Sequence, residues 1–182
     1  PVRINTNLSA SHKGEKNTWI KSMLKPFSKL FATHLTANSD LAGKWLFGQR
    51  AEYTVFPNAI DLSRFYYEEE LRQITRRELG VTDKFVIGHI GRFEYQKNHN
   101  FLIDLFAEYH QSYPDSMLLL IGYGELKEQI LNKIARLGLC DSVIDLGMQT
   151  ENNPYYNAMD CFVLPSFYEG LPVVGLEAQA TG

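Results

Sequence analysis

The sequence predicts an α/β fold in which helices cover both faces of a parallel sheet. From residue 84 to residue 164, short apolar segments alternate with longer helical patterns, which indicates parallel strands joined by crossover helices. The short segments are apolar on both faces, as expected for strands that are covered on both sides. Gly91, Gly122, Gly147 and Pro165 follow these segments, and ligands bind at this carboxyl edge of such sheets.

The elements follow from this pattern in chain order. Strands are predicted at residues 34–37, 53–56, 85–90, 117–121, 143–146 and 161–164. Helices are predicted at residues 68–79, 98–111, 125–137 and 154–159, with a last helix that begins at Pro172. Asn38 or Ser39 caps an earlier helix that Gly48 ends, and the run from Pro57 to Asp61 predicts a turn.

The segment from Lys13 to Phe31 carries an apolar stripe beside repeated lysines. The stripe consists of Trp19, Ile20, Met23, Leu24, Phe27, Leu30 and Phe31, and Lys21, Lys25 and Lys29 recur every four residues. Pro26 is expected to kink or divide the helix. We favour an ordinary helix whose stripe packs into a core, and the alternative is a helix that lies on an anionic membrane surface.

Composition and charge limit the classes of protein to which the chain can belong. With 182 residues, 45% of them hydrophobic, the chain can bury the core of one domain or slightly more. The net charge is −3, but residues 1–60 hold eight Lys and Arg against three Asp and Glu, which indicates different partners for the two parts. No apolar run approaches the length of a membrane span, and no signal-peptide pattern is present.

The two cysteines and the histidines show no spacing typical of a metal site. Cys140 and Cys161 lie in apolar surroundings, so we predict buried free thiols in a reducing cytoplasm. His89, His99 and His110 are interpreted as structural or surface residues, and a metal site is not expected.

The stretch at residues 161–182 is predicted to run from strand to loop to helix. At such a junction, the backbone N–H groups of Gly170 and Leu171 and the helix N-terminus form an anion site. Glu169 lies in the loop, and the side chain of Glu177 points back toward it. Because carboxylates repel an anion, these two are expected to bind uncharged hydroxyl groups of a larger ligand such as a nucleotide sugar. The alternative is a solvated Glu169 and a Glu177 at the polar edge of an ordinary helix.

A second group of candidates follows the first strand of the alternating region. Gly91 and Arg92 come directly after this strand, and Lys97 lies in the same loop. One fixed planar cation and one flexible cation at a strand end suit a diphosphate, whereas the alternative is a salt-bridged surface loop. Gly122 and Gly124 after the next strand form only part of a dinucleotide fingerprint, which by itself is a weak signal.

Several of these motifs resemble those of one family. Glu169-Gly-Leu-Pro-Val-Val, with a second glutamate eight positions after the first, is similar to the signature of retaining glycosyltransferases of the GT-B fold, family four. The turn that starts at Pro57, the motifs Gly91-Arg92 and Gln96-Lys97-Asn98-His99, and Glu177-Ala-Gln-Ala are similar to the bacterial capsular and exopolysaccharide branch of that family. The family usually has glycine where Ala59 stands, so positive φ at this turn is in question.

The resemblance implies a domain arrangement and a set of site residues. Residues 1–58 would be the tail of an N-terminal acceptor domain, and residues 59–182 a Rossmann-like donor-binding domain, truncated at its C-terminus. Arg92 and Lys97 would neutralise the leaving nucleoside diphosphate without a metal. Glu169 would hold the transferring sugar, and Glu177 the ribose. Backbone groups at Gly91, Gly122, Met148, Gly170 and Leu171 would line the nucleotide site.

The predicted function is a metal-independent retaining hexosyltransferase without a cofactor. It would move a hexose from a nucleotide-diphosphate sugar, most simply a UDP-sugar, to a saccharide or lipid-linked acceptor in surface polysaccharide synthesis. The enzyme would act in the cytoplasm. The segment from Lys13 to Phe31 offers a possible peripheral contact with the membrane, and no nucleic-acid partner is expected. The alternatives are a nucleotide-sugar epimerase, a nicotinamide oxidoreductase that lacks its full glycine fingerprint, and a non-catalytic nucleotide-binding fragment.

Overall fold

The computed structural model describes residues 1–8 and 18–182, which divide into two compact units. The first unit consists of Pro1–Ala59 and Phe167–Val173, and the second of Ile60–Ser166 and Val174–Gly182. The division in the chain falls beside the boundary expected near Asn58. The assignment of residues 1–58 and 59–182 to two domains of a longer protein stays a prediction.

Within its described residues, the first unit contains a three-stranded parallel sheet whose strands lie side by side in the order in which they follow in the chain. The strands are β1 (Ile4–Asn7), β2 (His34–Ala37) and β3 (Thr54–Val55), and the helices are α1 (Thr18–Leu24), a 3₁₀-helix (Lys25–Lys29) and α2 (Asp40–Phe47). The backbone N–H of Ala42 donates to Ser39 Oγ at 3.2 Å, and Gly48 ends α2 with φ of 89°. The predicted cap and stop of this helix are therefore confirmed.

Strand β1 has no apolar pattern and was not expected from the sequence. Side-chain hydrogen bonds accompany its pairing with β2: the hydroxyls of Thr6 and Thr36 lie 2.7 Å apart, and Asn7 Nδ2 donates to the carbonyl oxygen of Ala42 at 2.7 Å. Hydrogen bonds of polar side chains thus hold this strand in place, whereas an apolar face would usually do so.

The apolar stripe at residues 18–31 does not pack into a core, so the favoured interpretation of this segment is wrong. Trp19 is 69% and Phe31 71% exposed, and Met23, Leu24, Phe27 and Leu30 are exposed as well. Lys25, beside this stripe, does contact the protein: its Nζ lies 3.9 Å from the centre of the Trp45 ring on α2. Pro26 divides the helix as predicted. Residues 13–17 and the side chain of Lys21 lie outside what the structure describes.

The second unit contains the predicted parallel sheet. In its described residues, the strands are β4 (Phe85–Ile90), β5 (Ser116–Ile121), β6 (Val143–Asp145) and β7 (Cys161–Phe162). Their order across the sheet is β6-β5-β4-β7. Its helices are α3 (Glu69–Glu78), α4 (His99–Ser112), α5 (Lys127–Arg136), α6 (Asn153–Ala158) and α7 (Val173–Thr181). Strands β4 and β5 pair along their whole length, from Phe85 opposite Ser116 to Ile90 opposite Ile121.

Two separate cores cover the two faces of this sheet. Along β5, Leu118 and Leu120 belong to the cluster that contains Phe106 of α4, whereas Leu119 and Ile121 belong to the cluster on the other face. This alternation is what a strand covered on both sides requires. The α/β fold class with a doubly covered parallel sheet is confirmed.

Two local expectations for this unit are corrected. Strand β7 ends at Phe162, so the predicted strand at residues 161–164 is about half as long as expected. Cys140 and Cys161 are exposed, contrary to the prediction of buried thiols. Cys140 begins a short 3₁₀-helix (Cys140–Ser142) ahead of β6, and Cys161 lies on the outermost strand of the described sheet. Apolar neighbours in sequence therefore did not imply burial.

Candidate functional site

Three loops at the carboxyl edge of the second unit's sheet are joined through their main chains. The backbone N–H of Gly91, after β4, donates to the carbonyl oxygen of Ile121 at 2.9 Å. The N–H of Gly122, after β5, donates to the carbonyl oxygen of Gly147, after β6, at 2.8 Å. The edge at which ligands bind in such folds is thus a continuous row of backbone groups.

Gly122 is required by the close approach of two of these loops. A Cβ atom at this position would lie 2.0 Å from the carbonyl oxygen of Gly91, and φ of Gly122 is 150°. Gly124 is in the same situation, because its Cβ would lie 2.5 Å from the carbonyl oxygen of Phe93. The glycines that resembled part of a dinucleotide fingerprint therefore have a local packing role.

The structure brings Gly91, Arg92 and Lys97 together in the loop after β4. Arg92 Nη1 lies 3.0 Å from Glu94 Oε1, and the Arg92 side chain is 59% exposed. Lys97 ends a 3₁₀-helix (Tyr95–Lys97), and its Cδ lies 3.3 Å from the position that a Cβ of Gly91 would take. The salt-bridged surface loop is thus present. A single exposed pair contributes little, so Arg92 can exchange Glu94 for an anionic ligand at small cost.

Two buried histidines lie beneath this loop. His89 and His99 meet edge to face with ring centres 4.8 Å apart, and His99 stacks on Phe93 at 4.2 Å. His89 Nδ1 donates to the carbonyl oxygen of Val163 at 2.8 Å. Burial, and then the nearness of His89 and Lys97, lowers the pKa of His99 to about 3, so its ring is neutral at physiological pH.

The described histidines, cysteines and carboxylates form no group that could hold a metal. In residues 1–8 and 18–182, no three such side chains converge. The two ring nitrogens of His110 form hydrogen bonds with Ser116 Oγ and Ser142 Oγ, each at 3.0 Å, which connect α4 to the start of β5 and to the 3₁₀-helix ahead of β6. The three histidines therefore have structural partners in the second unit.

Glu177 is held by a tyrosine that sequence reasoning did not identify. The hydroxyl of Tyr156, on α6, donates to Glu177 Oε2 at 2.8 Å. Burial, and then this hydrogen bond, raise the pKa of Tyr156 well above its ordinary value. Helix α7 is half-buried, and Thr181 is its one fully buried residue among those described. No spacing in the sequence relates Tyr156 to Glu177.

The loop after β6 is fixed by polar side chains and presents Met148 to solvent. Met148 is 67% exposed. Asp145 Oδ1 accepts from the N–H of Gly147 at 3.0 Å, and Asp145 Oδ2 lies 2.7 Å from Lys127 Nζ. Asp145 and Lys127 were not identified from the sequence. Their ion pair fixes the backbone next to Met148, where a nucleotide base was expected to contact main-chain groups.

The loop with Glu169, Gly170 and Leu171 belongs to the first unit. A Cβ on Gly170 would lie 2.5 Å from the carbonyl oxygen of Leu8 and 2.6 Å from Asn38 Oδ1, so contacts within the unit already exclude a side chain there. The carbonyl oxygen of Leu171 accepts from Asn58 Nδ2 at 2.6 Å. Glu169 is partly exposed. The remaining candidates, Gly91, Arg92, Lys97, Gly122, Met148 and Glu177, lie in the second unit. A single site that includes both groups stays a prediction.

The fold and the carboxyl edge define a class of protein. A doubly covered parallel sheet with glycine turns and cations at its carboxyl edge is the architecture of Rossmann-like α/β domains that bind nucleotides and related ligands. Comparison with known families then shows to which family the chain belongs. The chain belongs to the family described as glycosyl transferases group 1, whose model matches residues 72–182.

Individual relatives agree with this assignment. The chain is 35% identical over 190 residues to EpsF of Bacillus subtilis (strain 168), which is named as a glycosyltransferase; the match covers 100% of the chain and 50% of EpsF. It is 30% identical over 160 residues to the Escherichia coli UDP-Gal:alpha-D-GlcNAc-diphosphoundecaprenol alpha-1,3-galactosyltransferase, and this match covers 85% of the chain and 41% of the enzyme. Other relatives are named for the biosynthesis of bacterial polysaccharides.

A solved structure shows the same fold. Anabaena Alr3699/HepE, in complex with UDP-glucose, matches with a TM-score of 0.86 and 26% identity over 97% of the chain and 50% of HepE. The fold is thus that of GT-B glycosyltransferases. The chain spans about half the length of EpsF and HepE. None of the helices in the described part of the chain is both long and apolar enough to span a bilayer.

Proposed function

We propose that the protein to which this chain belongs is a retaining hexosyltransferase of family four. It transfers a hexose from a nucleotide-diphosphate sugar, with a UDP-sugar as the first candidate, to a saccharide or lipid-linked acceptor in surface polysaccharide synthesis. The observation that carries the proposal is the loop after β4, where Arg92 and Lys97 lie together at the carboxyl edge of the sheet. The UDP-glucose complex of HepE and the diphosphoundecaprenol substrate named for the Escherichia coli relative support the donor and acceptor classes.

The proposed chemistry depends on charge compensation by the protein. When the bond between the sugar and the diphosphate breaks, the diphosphate keeps the electron pair and gains negative charge. Arg92 and Lys97 stabilise that charge, so no metal is required, and the N–H groups of Gly170 and Leu171 contribute further donors. Glu169 holds the transferring sugar, and Glu177 binds the ribose. Main-chain groups of Gly91, Gly122 and Met148 line the nucleotide.

Calorimetry of the full-length protein with UDP and GDP in EDTA tests the proposal. Binding is expected without divalent metal, and Arg92→Ala and Lys97→Ala should each cost ~1.5–3 kcal/mol of binding free energy. Arg136→Ala is the matched control, because Arg136 is an exposed cation in the last turn of α5. Affinity that appears only with magnesium or manganese would contradict metal independence. Unchanged affinity in both loop variants, with circular dichroism unaltered, would place the site elsewhere.

We also propose that the enzyme works in the cytoplasm and contacts the inner face of the membrane through the segment from Lys13 to Phe31. The support is the exposure of the apolar stripe, with Trp19 and Phe27 among its members, next to Lys29. Residues 1–60 also carry an excess of basic side chains, which attracts an anionic surface. A lipid-linked acceptor would be met at such a surface.

A further inference from the structure

The hydroxyl of Tyr156 holds one oxygen of the Glu177 carboxylate. It lies 2.8 Å from Glu177 Oε2 and 3.2 Å from the carbonyl oxygen of Val174, and both acceptors belong to α7. A phenol has one proton to donate, and the shorter contact and the charge favour the carboxylate. One buried side chain thus contacts α7 at two points one turn apart.

The tyrosine ring is itself fixed in position. Tyr156 is 5% exposed and lies edge-on to Phe65 at 6.2 Å and to Phe162 at 5.6 Å between ring centres. Its raised pKa keeps the hydroxyl protonated, and therefore a donor, throughout the physiological range. The orientation of the donor is determined by the core and does not depend on solvent.

The second carboxylate oxygen of Glu177 remains as an acceptor. Among the described residues, Oε1 has no hydrogen-bond partner, and Glu177 is only partly buried. Because Oε2 is held, the carboxylate meets a ligand in one orientation. Side-chain freedom that is lost before binding does not have to be lost on binding, which improves affinity.

We propose that Tyr156 is a positioning residue for the donor nucleotide, and that it orients Glu177 so that Oε1 accepts hydrogen bonds from the ribose hydroxyls of a nucleoside diphosphate. The inference rests on the proposed function, because it assumes that the second unit binds the nucleotide. Beyond the proposed function, the inference is that recognition of the ribose depends on Tyr156, a core residue that acts through Glu177 and does not itself contact the nucleotide.

The test separates ribose recognition from general nucleotide binding. Calorimetry compares UDP and GDP with their 2′,3′-dideoxy analogues on the full-length protein and on Tyr156→Phe. We expect the substitution to weaken the ribonucleotide roughly 3- to 10-fold, as for the loss of one hydrogen bond, and to leave the dideoxy analogue unchanged. Tyr53→Phe is the matched control, because the Tyr53 hydroxyl donates to the Asp40 carboxylate at 2.7 Å in the first unit, and it should change neither affinity.

A second variant removes the charge of Glu177 and replaces one of its two acceptor oxygens by an amide NH₂ group, without altering the core. Glu177→Gln should itself lose the preference for the ribonucleotide, and adding Tyr156→Phe to it should have no further effect on ribonucleotide affinity. Equal weakening of both nucleotides by Tyr156→Phe, no weakening, or a second loss of the same size in the double variant would each overturn the inference.

Failure of the proposed function gives a different result. If the unsubstituted protein binds no nucleoside diphosphate, the proposed function fails and the inference falls with it. If the protein binds UDP or GDP but does not distinguish it from its dideoxy analogue, the proposed function stands and the inference alone is overturned.

Discussion

The two units use apolar side chains in opposite ways. In the second unit, the stripe of α4 is buried, and Leu102, Ile103 and Phe106 have no exposed surface. In the first unit, the stripe at residues 18–31 is largely exposed, while Lys25 contacts the Trp45 ring. Burial of apolar area is the main favourable term in folding, so the buried side chains of α4 stabilise the second unit, whereas the exposed side chains of the stripe add little to the stability of the described structure.

The largest effect that tests this contrast is the difference between two phenylalanine truncations. Phe106→Ala should destabilise the protein by about 3–5 kcal/mol, because it leaves a cavity in a closed core. Phe27→Ala, in the exposed stripe, should change the free energy of unfolding by less than about 0.5 kcal/mol. Urea unfolding measures both. A loss of several kcal/mol in Phe27→Ala would show that the stripe is covered in the full-length protein.

A smaller effect is expected from the ion pairs that join α3 to the sheet. Asp160 binds Arg72 and, at 3.0 Å, the buried Arg76, and its Oδ2 accepts from the N–H of Val86 at 2.8 Å. Burial opposes ionisation of Asp160, but these hydrogen bonds outweigh it and lower the pKa of the carboxyl below its usual range. Asp160→Asn should cost about 3 kcal/mol at pH 7, because Arg76 loses its partner.

The pH dependence of that variant follows from the lowered pKa. The stabilisation by Asp160 is present above the unfolded pKa and is lost as the pH falls through the folded one. The difference between the protein and Asp160→Asn in urea unfolding should therefore shrink below pH of about 4. Asp115→Asn is the control, since the pair of Asp115 with Lys84 is exposed and screened by solvent and should contribute far less. Equal losses in both variants would contradict the special role of Asp160.

An intermediate effect is expected where the carboxyl-edge loops approach each other. Gly122→Ala should cost at least about 2 kcal/mol, because positive φ and a contact with the carbonyl oxygen of Gly91 both oppose a Cβ. Gly138→Ala is the control, because Gly138 also has positive φ, at 70°, but open space around it, so about 1 kcal/mol is expected. Thermal unfolding distinguishes them. Identical losses would mean that the loops separate easily.

The last effect concerns binding and not folding, and it depends on the exposed stripe and its lysines. If the first unit contacts membrane, the full-length protein should sediment with anionic vesicles, less so as salt screens the attraction. Replacing Lys21, Lys25 and Lys29 with glutamine should then weaken binding by about 1 kcal/mol per residue. Lys84→Gln, in the second unit, should have no effect. Sedimentation that does not depend on salt or on the three lysines would remove the support for this contact.

The regular part of the second unit could be predicted from the sequence, because its pattern is set by local periodicity. The strand at residues 85–90 has the predicted bounds, and α4 and α5 begin and end within two residues of theirs. The polar strand β1 was missed, because its stabilising partners, Thr36 and Ala42, are distant in sequence. Distant pairing leaves no local signal.

The types of residue in the candidate site could be predicted from the sequence, but the neighbouring side chains that hold them in position could not. Glycines and cations after apolar strands indicated the carboxyl edge, and Gly91, Arg92 and Lys97 do lie together there. Tyr156, which holds Glu177, is separated from it by a strand and a loop, and no periodicity connects the two. The same limit applies to the segment at residues 18–31, where the contact of Lys25 with Trp45 joins residues that no local pattern relates.

The main-chain hydrogen bonds among the loops at Gly91, Gly122 and Gly147 have a consequence for how the second unit can change. The contacts that join these loops to one another are backbone hydrogen bonds, so they do not depend on the exposed side chains of the loops. Arg92 and Met148 are exposed on this frame and can be exchanged without disturbing either core. The exposed side chains of this edge can therefore change one at a time, whereas a substitution at Gly122 would displace all three loops together.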